Sequence, residues 1–363
     1  MKIALDVHGG DLGMLPNLEG ALRAVRELDC GVILVGRDPE IREALRRLGA
    51  QHSEKLSIVH APQIVDMSAE PVQECRAKPD SSMVICAELV ADKKADALVS
   101  AGNSGAVMVA SLLKMKRLPG VMRPAIAVPL PTVKGTMVLM DGGANMDCKP
   151  WHLAQFAAMG SIYARHVFGI ADPSVGILSV GEEECKGNVL VKETIPILKK
   201  AGLNFLGPVE GMDIPAGTAD VIVCDGFVGN ICLKLSEGLA KTIFDMLRQE
   251  VASGILCRLG ALLMKSAFRN LKKRMSPDEY GGAPLLGVNG IAVICHGRSS
   301  STAIFNGIRV ASELVRAGTN EKIRSFMENM KDGMEYVKEG QRSFEKPEDS
   351  VPAQPKDERV ENL

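Results

Sequence analysis

Short, predominantly apolar runs recur along this chain, separated by stretches of helical periodicity, and that alternation admits few folds. The runs cover residues 3–7, 32–36, 56–60, 97–100, 125–130, 136–140, 175–180, 204–206, 221–224 and 291–295. Between the first two, Leu18, Ala21, Leu22 and Val25 recur on one face of a helix predicted over 17–28; another is predicted over 40–48. Strands that are apolar throughout and alternate with helices build a mostly parallel sheet covered on both faces. The expected fold class is α/β, in three α/β/α layers.

One turn stands out. Ser100-Ala101-Gly102-Asn103-Ser104-Gly105-Ala106 joins an apolar strand to a helix beginning near Val107. Gly102 and Gly105 permit a tight strand-to-helix turn, and Asn103 and Ser104 add short polar groups. Free N–H groups at a helix start favour an anion, so this is a candidate phosphate site. The spacing is neither the Walker pattern nor G-x-G-x-x-G, and a purely structural turn is the alternative. Other runs end similarly, at Asp6 to Asp11, Asp141 to Asn145, Gly181 to Glu183, Asp225 to Asn230 and His296 to Ser299. A parallel sheet gathers the carboxyl ends of its strands at one edge, so these turns are expected to converge on one cleft.

The chain has 363 residues, 46% hydrophobic and 24% charged, with a formal net charge of −1, which gives no global reason to expect nucleic acid. Its nine cysteines are scattered, odd in number and without a C-x-x-C pair, so neither a disulfide framework nor a zinc site is expected, and reduced thiols in a cytoplasm fit better. Met1 leads directly into the first strand, so no signal peptide is expected. No uncharged apolar run reaches the ~18–20 residues that span a bilayer.

Taken together, residues 6–11, 100–106, 141–151, 181–188, 225–234 and 284–297 resemble the PlsX family, the bacterial phosphate acyltransferases of phospholipid synthesis. The resemblance runs in order from Met1 to about residue 335. It implies formation of acyl phosphate from acyl-acyl-carrier protein and inorganic phosphate, and a fold similar to phosphotransacetylase and the isocitrate dehydrogenase group. It also implies a homodimer at the inner face of the cytoplasmic membrane, with the downstream glycerol-3-phosphate acyltransferase as a further partner. Neither a metal requirement nor a cofactor is implied. Three positions depart from the family pattern: His8 stands where Met is frequent, Gly142 where Val is common, and Trp151 where an acidic residue is common.

Attack of phosphate on a thioester needs the dianion held near the carbonyl, a stabilised oxyanion and a departing thiolate. Lys186, in a Gly-flanked loop after the 175–180 strand, can reach phosphate as a point charge, or pair with Glu182 to Glu184 on the surface. Asn103 and Asn230 can donate amide N–H bonds to phosphate or oxyanion, or only shape their turns. His296 is a candidate donor to the leaving sulfur, and a structural histidine otherwise. The expected catalytic set is Lys186, Asn230 and His296; Gly102, Asn103, Ser104, Gly105, Asn145, Asn188 and Gly229 are expected to bind substrate. Asp6, Asp11, Asp141, Asp147 and Asp225 form an acidic set at the same predicted edge, read either as a magnesium site or, more economically, as helix caps and orienting groups. Cys148, Cys185 and Ser104 are weaker nucleophile candidates, with no sequence-adjacent histidine or G-x-S-x-G elbow.

Residues 255–275 read as one cationic amphipathic helix. Leu256, Leu259, Leu263, Met264, Ala267, Phe268, Leu271 and Met275 share a face, and Arg258, Lys265, Arg269 and Lys272 lie opposite. Such a helix suits an anionic membrane surface or an acidic carrier protein; the alternative is packing on a dimer mate with a solvated basic face. The expected organisation is a single catalytic domain over 1–335 with a helical insertion near 250–277, and a disordered, proline-rich tail over 340–363.

Overall fold

The computed structural model describes residues 1–50 and 53–330; the tail expected over 340–363 lies outside the described residues. Strand β1 (Lys2–Asp6) lies between β2 (Gly31–Gly36) and β4 (Ala97–Ser100), with β3 (Leu56–His60) outside β2. The sheet continues through β11 (Ile291–Ile294), β10 (Ala283–Leu286), β5 (Ala125–Pro131), β6 (Thr136–Met140), β9 (Val221–Val223), β7 (Ser174–Leu178) and β8 (Asn204–Val209).

Each strand sends alternate residues to opposite faces, as a period of two requires. Ile3 and Leu5 enter one core with Val32, Leu34, Val138, Met140, Val175 and Val221. Their neighbours Ala4, Ile33 and Leu98 enter a second core on the opposite face, and Leu139 and Ile222 a third. The first core is closed by the helices Met14–Glu27, Pro150–Val167, Val189–Lys200 and Ser301–Arg316, and holds the fully buried Phe156 and Tyr163. Ser82–Ala91 and Ser104–Lys114 close the second, and the start of Gly226–Ala252 closes the third through Val228, Cys232 and Leu233. This is the expected three-layer α/β/α fold.

Of the ten strand pairings, seven are parallel and three antiparallel, so the sheet is mostly parallel. The three exceptions decide where function can sit. A parallel crossover needs a dozen or more residues, whereas only residues 132–135 separate β5 from β6 and 287–290 separate β10 from β11. Both connections are therefore hairpins, and each reverses the chain. Strands β1 to β5 and β11 run one way; β6 to β10 run the other. The expectation of a single edge for all the polar turns is thereby corrected. Those after β1, β4 and β11 lie at one edge, and those after β6, β7 and β9 at the opposite edge.

The helices Met14–Glu27 and Ser301–Arg316 pack closely because Gly20 has no side chain: a methyl there would lie 2.8 Å from Ile304 Cβ. Gly20→Val is expected to lower stability by about 1–3 kcal/mol, read as a fall in thermal midpoint, through overpacking.

Candidate active site

At the first edge, Asp6 organises the turn after β4. Its buried carboxylate accepts from Ser82 Oγ at 2.6 Å and Ser100 Oγ at 2.7 Å, and Ser100 Oγ accepts from the Gly102 amide at 3.0 Å. Gly9 sits against this network, where a methyl would come within 2.7 Å of the Gly102 nitrogen. The β1 turn is held in turn by Asn17, whose Nδ2 donates to the Val7 and Gly9 carbonyls at 2.9 and 2.8 Å. Neither Ser82 nor Asn17 was expected from sequence. Ser82 opens a helix directly after Asp80 and Ser81, Asn17 lies in the first turn of another, and no local motif marks either as a partner of the β1 turn.

Asn103 caps the Ser104–Lys114 helix: its Oδ1 accepts from Ala106 N at 3.1 Å, and its Nδ2 donates to Met67 O at 2.9 Å and Ala69 O at 3.4 Å. Both functions of the amide are spent, so the expected side-chain donation from Asn103 to phosphate is not available in this geometry. What remains is backbone. Ala106 N and Val107 N bond to Asn103, leaving the Ser104 and Gly105 amides without a protein acceptor among the described residues. The β11 turn emerges alongside, with Cys295 N donating to Ser100 O at 2.8 Å and Asp11 N to Gly297 O at 2.7 Å. His296 is exposed, and its Nδ1 accepts from Arg298 N at 3.0 Å. In the neutral ring that bond leaves the proton on Nε2, the tautomer a donor to substrate requires. His8 faces elsewhere: its Nε2 accepts from Arg37 N at 3.0 Å, and burial lowers its pKa.

The second edge is built on Asp141, fully buried at the end of β6. Its Oδ1 accepts from Ile126 N, Gly143 N and Ala144 N, and its Oδ2 from Asn145 N and Asn145 Nδ2, at 2.7–3.2 Å. Burial pushes this carboxyl upward from the usual carboxylate range, and the bonds from Ile126, Ala144 and Asn145 oppose that rise. Asn145 also donates to Pro124 O at 2.7 Å, so its side chain is committed to the loop. Asp225 caps the Gly226–Ala252 helix through Val228 N at 2.8 Å. The first turn of that helix lies directly on the Asp141 loop, since a methyl on Gly229 would overlap the Asp141 carbonyl oxygen. Asn230 follows, exposed and with no side-chain hydrogen bond among the described residues.

Lys186 lies after β7 at this same edge, in an exposed loop where its Nζ pairs with Glu183 at 2.8 Å. That contact raises its pKa, and the group stays cationic. Asn188 caps the Val189–Lys200 helix through Val191 N at 2.9 Å. The acidic residues thus divide between the edges, with Asp6 and Asp11 at one and Asp141 and Asp225 at the other. Asp6, Asp141 and Asp225 hold serine hydroxyls, a loop and a helix start. Burial and the neighbouring Asp141 push the Cys148 thiol up to about 12, so it is no thiolate near neutrality.

The basic stretch is two helices, Ile255–Leu263 and Lys265–Met275, which corrects the expectation of one. Met264, with φ −89° and ψ 7°, turns the chain between them, and no Gly or Pro marks that position in sequence. Neither helix buries a residue, and Leu256 and Leu263 are 83% and 87% exposed. No helix among the described residues is long and apolar enough to cross a membrane.

The architecture is that of the phosphotransacetylase group. A phosphotransacetylase from Streptococcus pyogenes matches it with a TM-score of 0.60 at 20% identity, over 87% of this chain and 94% of that one. The EutD phosphotransacetylase from Staphylococcus aureus matches with a TM-score of 0.57 at 18% identity, over 86% and 94%. These likenesses concern the fold. The chain belongs to the PlsX family: the family model described as "Fatty acid synthesis protein" matches residues 1–322. The phosphate acyltransferase of Elusimicrobium minutum is 55% identical over 337 residues, covering 93% of this chain and 99% of that protein. That of Geobacter sulfurreducens is 48% identical over 328 residues, covering 90% and 94%. The protein is a transferase.

His152 opens the Pro150–Val167 helix just beyond the Asp141 loop, 7% exposed, with Nδ1 accepting from Lys149 N at 3.1 Å. Burial, with Arg123 and Lys149 nearby, lowers its pKa to about 4. The unfolded chain takes up this proton near the ordinary histidine value, while the folded chain resists it, so stability falls as pH drops from about 6.5 through about 4. His152→Asn keeps an acceptor and removes the titration. It is expected to flatten that fall by on the order of 2–3 kcal/mol, measured by denaturant unfolding at pH 7 and pH 4.5.

Proposed function

We propose that this chain forms acyl phosphate from acyl-acyl-carrier protein and inorganic phosphate in phospholipid synthesis. The observation that carries the reading is the first edge: two unfilled amides at the start of the Ser104–Lys114 helix, beside a His296 ring that presents Nε2–H. The helix start suits a phosphate dianion, and the ring suits the oxyanion or the departing sulfur. A phosphate oxygen attacks the thioester carbonyl carbon, the C–O bond forms, the C–S bond breaks, and the carrier leaves as thiolate to take a proton from His296 or water. Phosphate brings its own nucleophilic oxygen, so no enzyme acyl intermediate is needed. Lys186 and Asn230 supply the cation and the amide donor. Ser104 and Gly105 supply backbone N–H groups to the bound phosphate, Gly102 fixes the turn through its bond to Ser100, and Asn145, Asn188 and Gly229 shape the loops that carry Lys186 and Asn230.

The catalytic unit extends over 1–335, with the 250–277 helices as its insertion. It works as a homodimer in the cytoplasm, at the inner face of the membrane, passing product to a glycerol-3-phosphate acyltransferase. Arg258, Lys265, Arg269 and Lys272, on helices with no buried residue, meet the acidic carrier or anionic lipid.

The deciding experiment measures acyl phosphate made from acyl-acyl-carrier protein and phosphate, with a chelator present and with Lys186→Ala in parallel. The expected result is activity that survives chelation and falls by about 100-fold or more in the folded variant. Dependence on a divalent ion would overturn the metal-free attack; no acyl phosphate under any condition would overturn the reading. Replacing Arg258, Lys265, Arg269 and Lys272 by alanine is expected to weaken carrier affinity or anionic-liposome co-sedimentation by about tenfold or more, with turnover at saturating carrier retained.

A further inference from the structure

Between Asp96 and Asp141 the chain carries no acidic residue, while Lys114, Lys116, Arg117, Arg123 and Lys134 fall in that span. Lys114 pairs with Glu88. Arg123 forms no ion pair among the described residues, and neither does Lys149. The fold brings these two cations to the one tryptophan of the chain, Trp151.

Gln155, 3% exposed, fixes the loop that carries Arg123. Its Oε1 accepts from Met122 N and its Nε2 donates to Gly120 O, each at 2.8 Å. On the other flank, Asn145 Nδ2 donates to Pro124 O at 2.7 Å. Arg123 stands between Met122 and Pro124, exposed on a backbone held from both sides. Its charge is felt by both Cys148 and His152, which places it beside the start of the Pro150–Val167 helix.

Trp151 lies in the first turn of that helix, four residues before Gln155 and so on the same face. It packs in part against the first core and leaves the rest of its ring at the surface. Lys149 Nζ sits 5.2 Å from the ring centre, and the His152 ring meets it edge-on at 6.0 Å. Because Trp151 stands where an acidic residue is common in the family, the patch lacks the negative charge that position would bring. Asp147 is exposed nearby on the same loop and pairs with neither cation.

The patch lies at the edge that carries Asn230. Lys149 follows Asn145 by four residues, Asn145 O accepts from Gly226 N at 2.7 Å, and a methyl on Gly143 would lie 3.4 Å from Asn230 Cβ. Tryptophan and arginine are the residues on which protein-binding hot spots most often rest, and unpaired cations around them call for an acidic partner. The carrier of the proposed reaction is acidic, and it has to dock where its thioester reaches Asn230. We infer that Arg123, Lys149 and Trp151 form the docking surface for the acidic carrier protein, which covers the ring and sets its carboxylates against the two cations. The inference rests on the acyl-transfer reading above and selects, among the cationic surfaces of the molecule, the one the carrier meets.

With a single tryptophan, the emission of the protein reports on this surface directly. Titrating the wild-type protein with an acyl carrier protein that lacks tryptophan is expected to shift that emission saturably, with an affinity that weakens as salt is raised. Carrier binding seen by calorimetry with the emission unmoved overturns the inference. Two variants extend the test: Arg123→Glu combined with Lys149→Glu, and separately Trp151→Asp, which places there the residue type common in the family. Each is expected to raise KM for acyl-acyl-carrier protein by about tenfold or more, with kcat and KM for phosphate retained. Variants folded by circular dichroism whose carrier KM is unchanged overturn the inference while the acyl-transfer reading stands. Loss of co-sedimentation with phosphatidylglycerol vesicles at an unchanged carrier KM makes the patch a lipid contact and likewise overturns it. A wild-type protein that binds carrier through Trp151 yet makes no acyl phosphate overturns the reading and leaves the docking surface in place.

Discussion

The four residues between β5 and β6 constrain this molecule more than any motif in it. They are too few for a crossover, so the chain must turn back on itself in a hairpin. Every strand and loop up to β10 inherits the reversal. The polar turns that look alike in sequence are thereby sorted into two groups, one organised by Asp6 and the other by Asp141. The 287–290 hairpin restores the original direction and returns His296 to the side of Ser100. Two short turns thus determine which side chains can share a substrate.

Much of this was legible. Strands β3, β4 and β6 have the bounds their runs predict: β4 is buried throughout and β6 over four of its five residues, whereas β3 is a half-exposed edge strand still marked by Leu56, Ile58 and Val59. The family was legible from long strings around the turns. The hairpin was also in view, since 132–135 is plainly too short for a helix, but an alternation of strands and helices read as a whole conceals a local exception. Other features carried no local signal. Ser82 reaches Asp6 across 76 residues of sequence, and Met264 breaks the basic stretch without a Gly or Pro. Strand β10 is four residues long and contains Pro284, which composition alone argues against as an interior strand.

The buried carboxylates show how one residue type serves positioning at both edges. Asp6 receives two serine hydroxyls, one of which holds the Gly102 amide; Asp141 receives five N–H bonds and so fixes a loop against the first turn of a helix. Charge in these places is offset by hydrogen bonds rather than by lysine or arginine. Asn103, Asn145 and Asn188 follow the same division of labour, each bonding backbone to shape a turn. Asn230 and His296 differ from them in keeping a polar group toward solvent.

Strand order carries a consequence for synthesis. Strand β11 lies between β4 and β10, so the first four strands are complete long before the strand that covers the inner edge of β4 leaves the ribosome. Until residues 291–294 arrive, β4 presents an open row of backbone donors and acceptors, the kind of edge that recruits foreign strands. The Ser301–Arg316 helix that closes the face over Gly20 arrives later still. The nascent chain therefore spends most of its translation with its central seam unsealed.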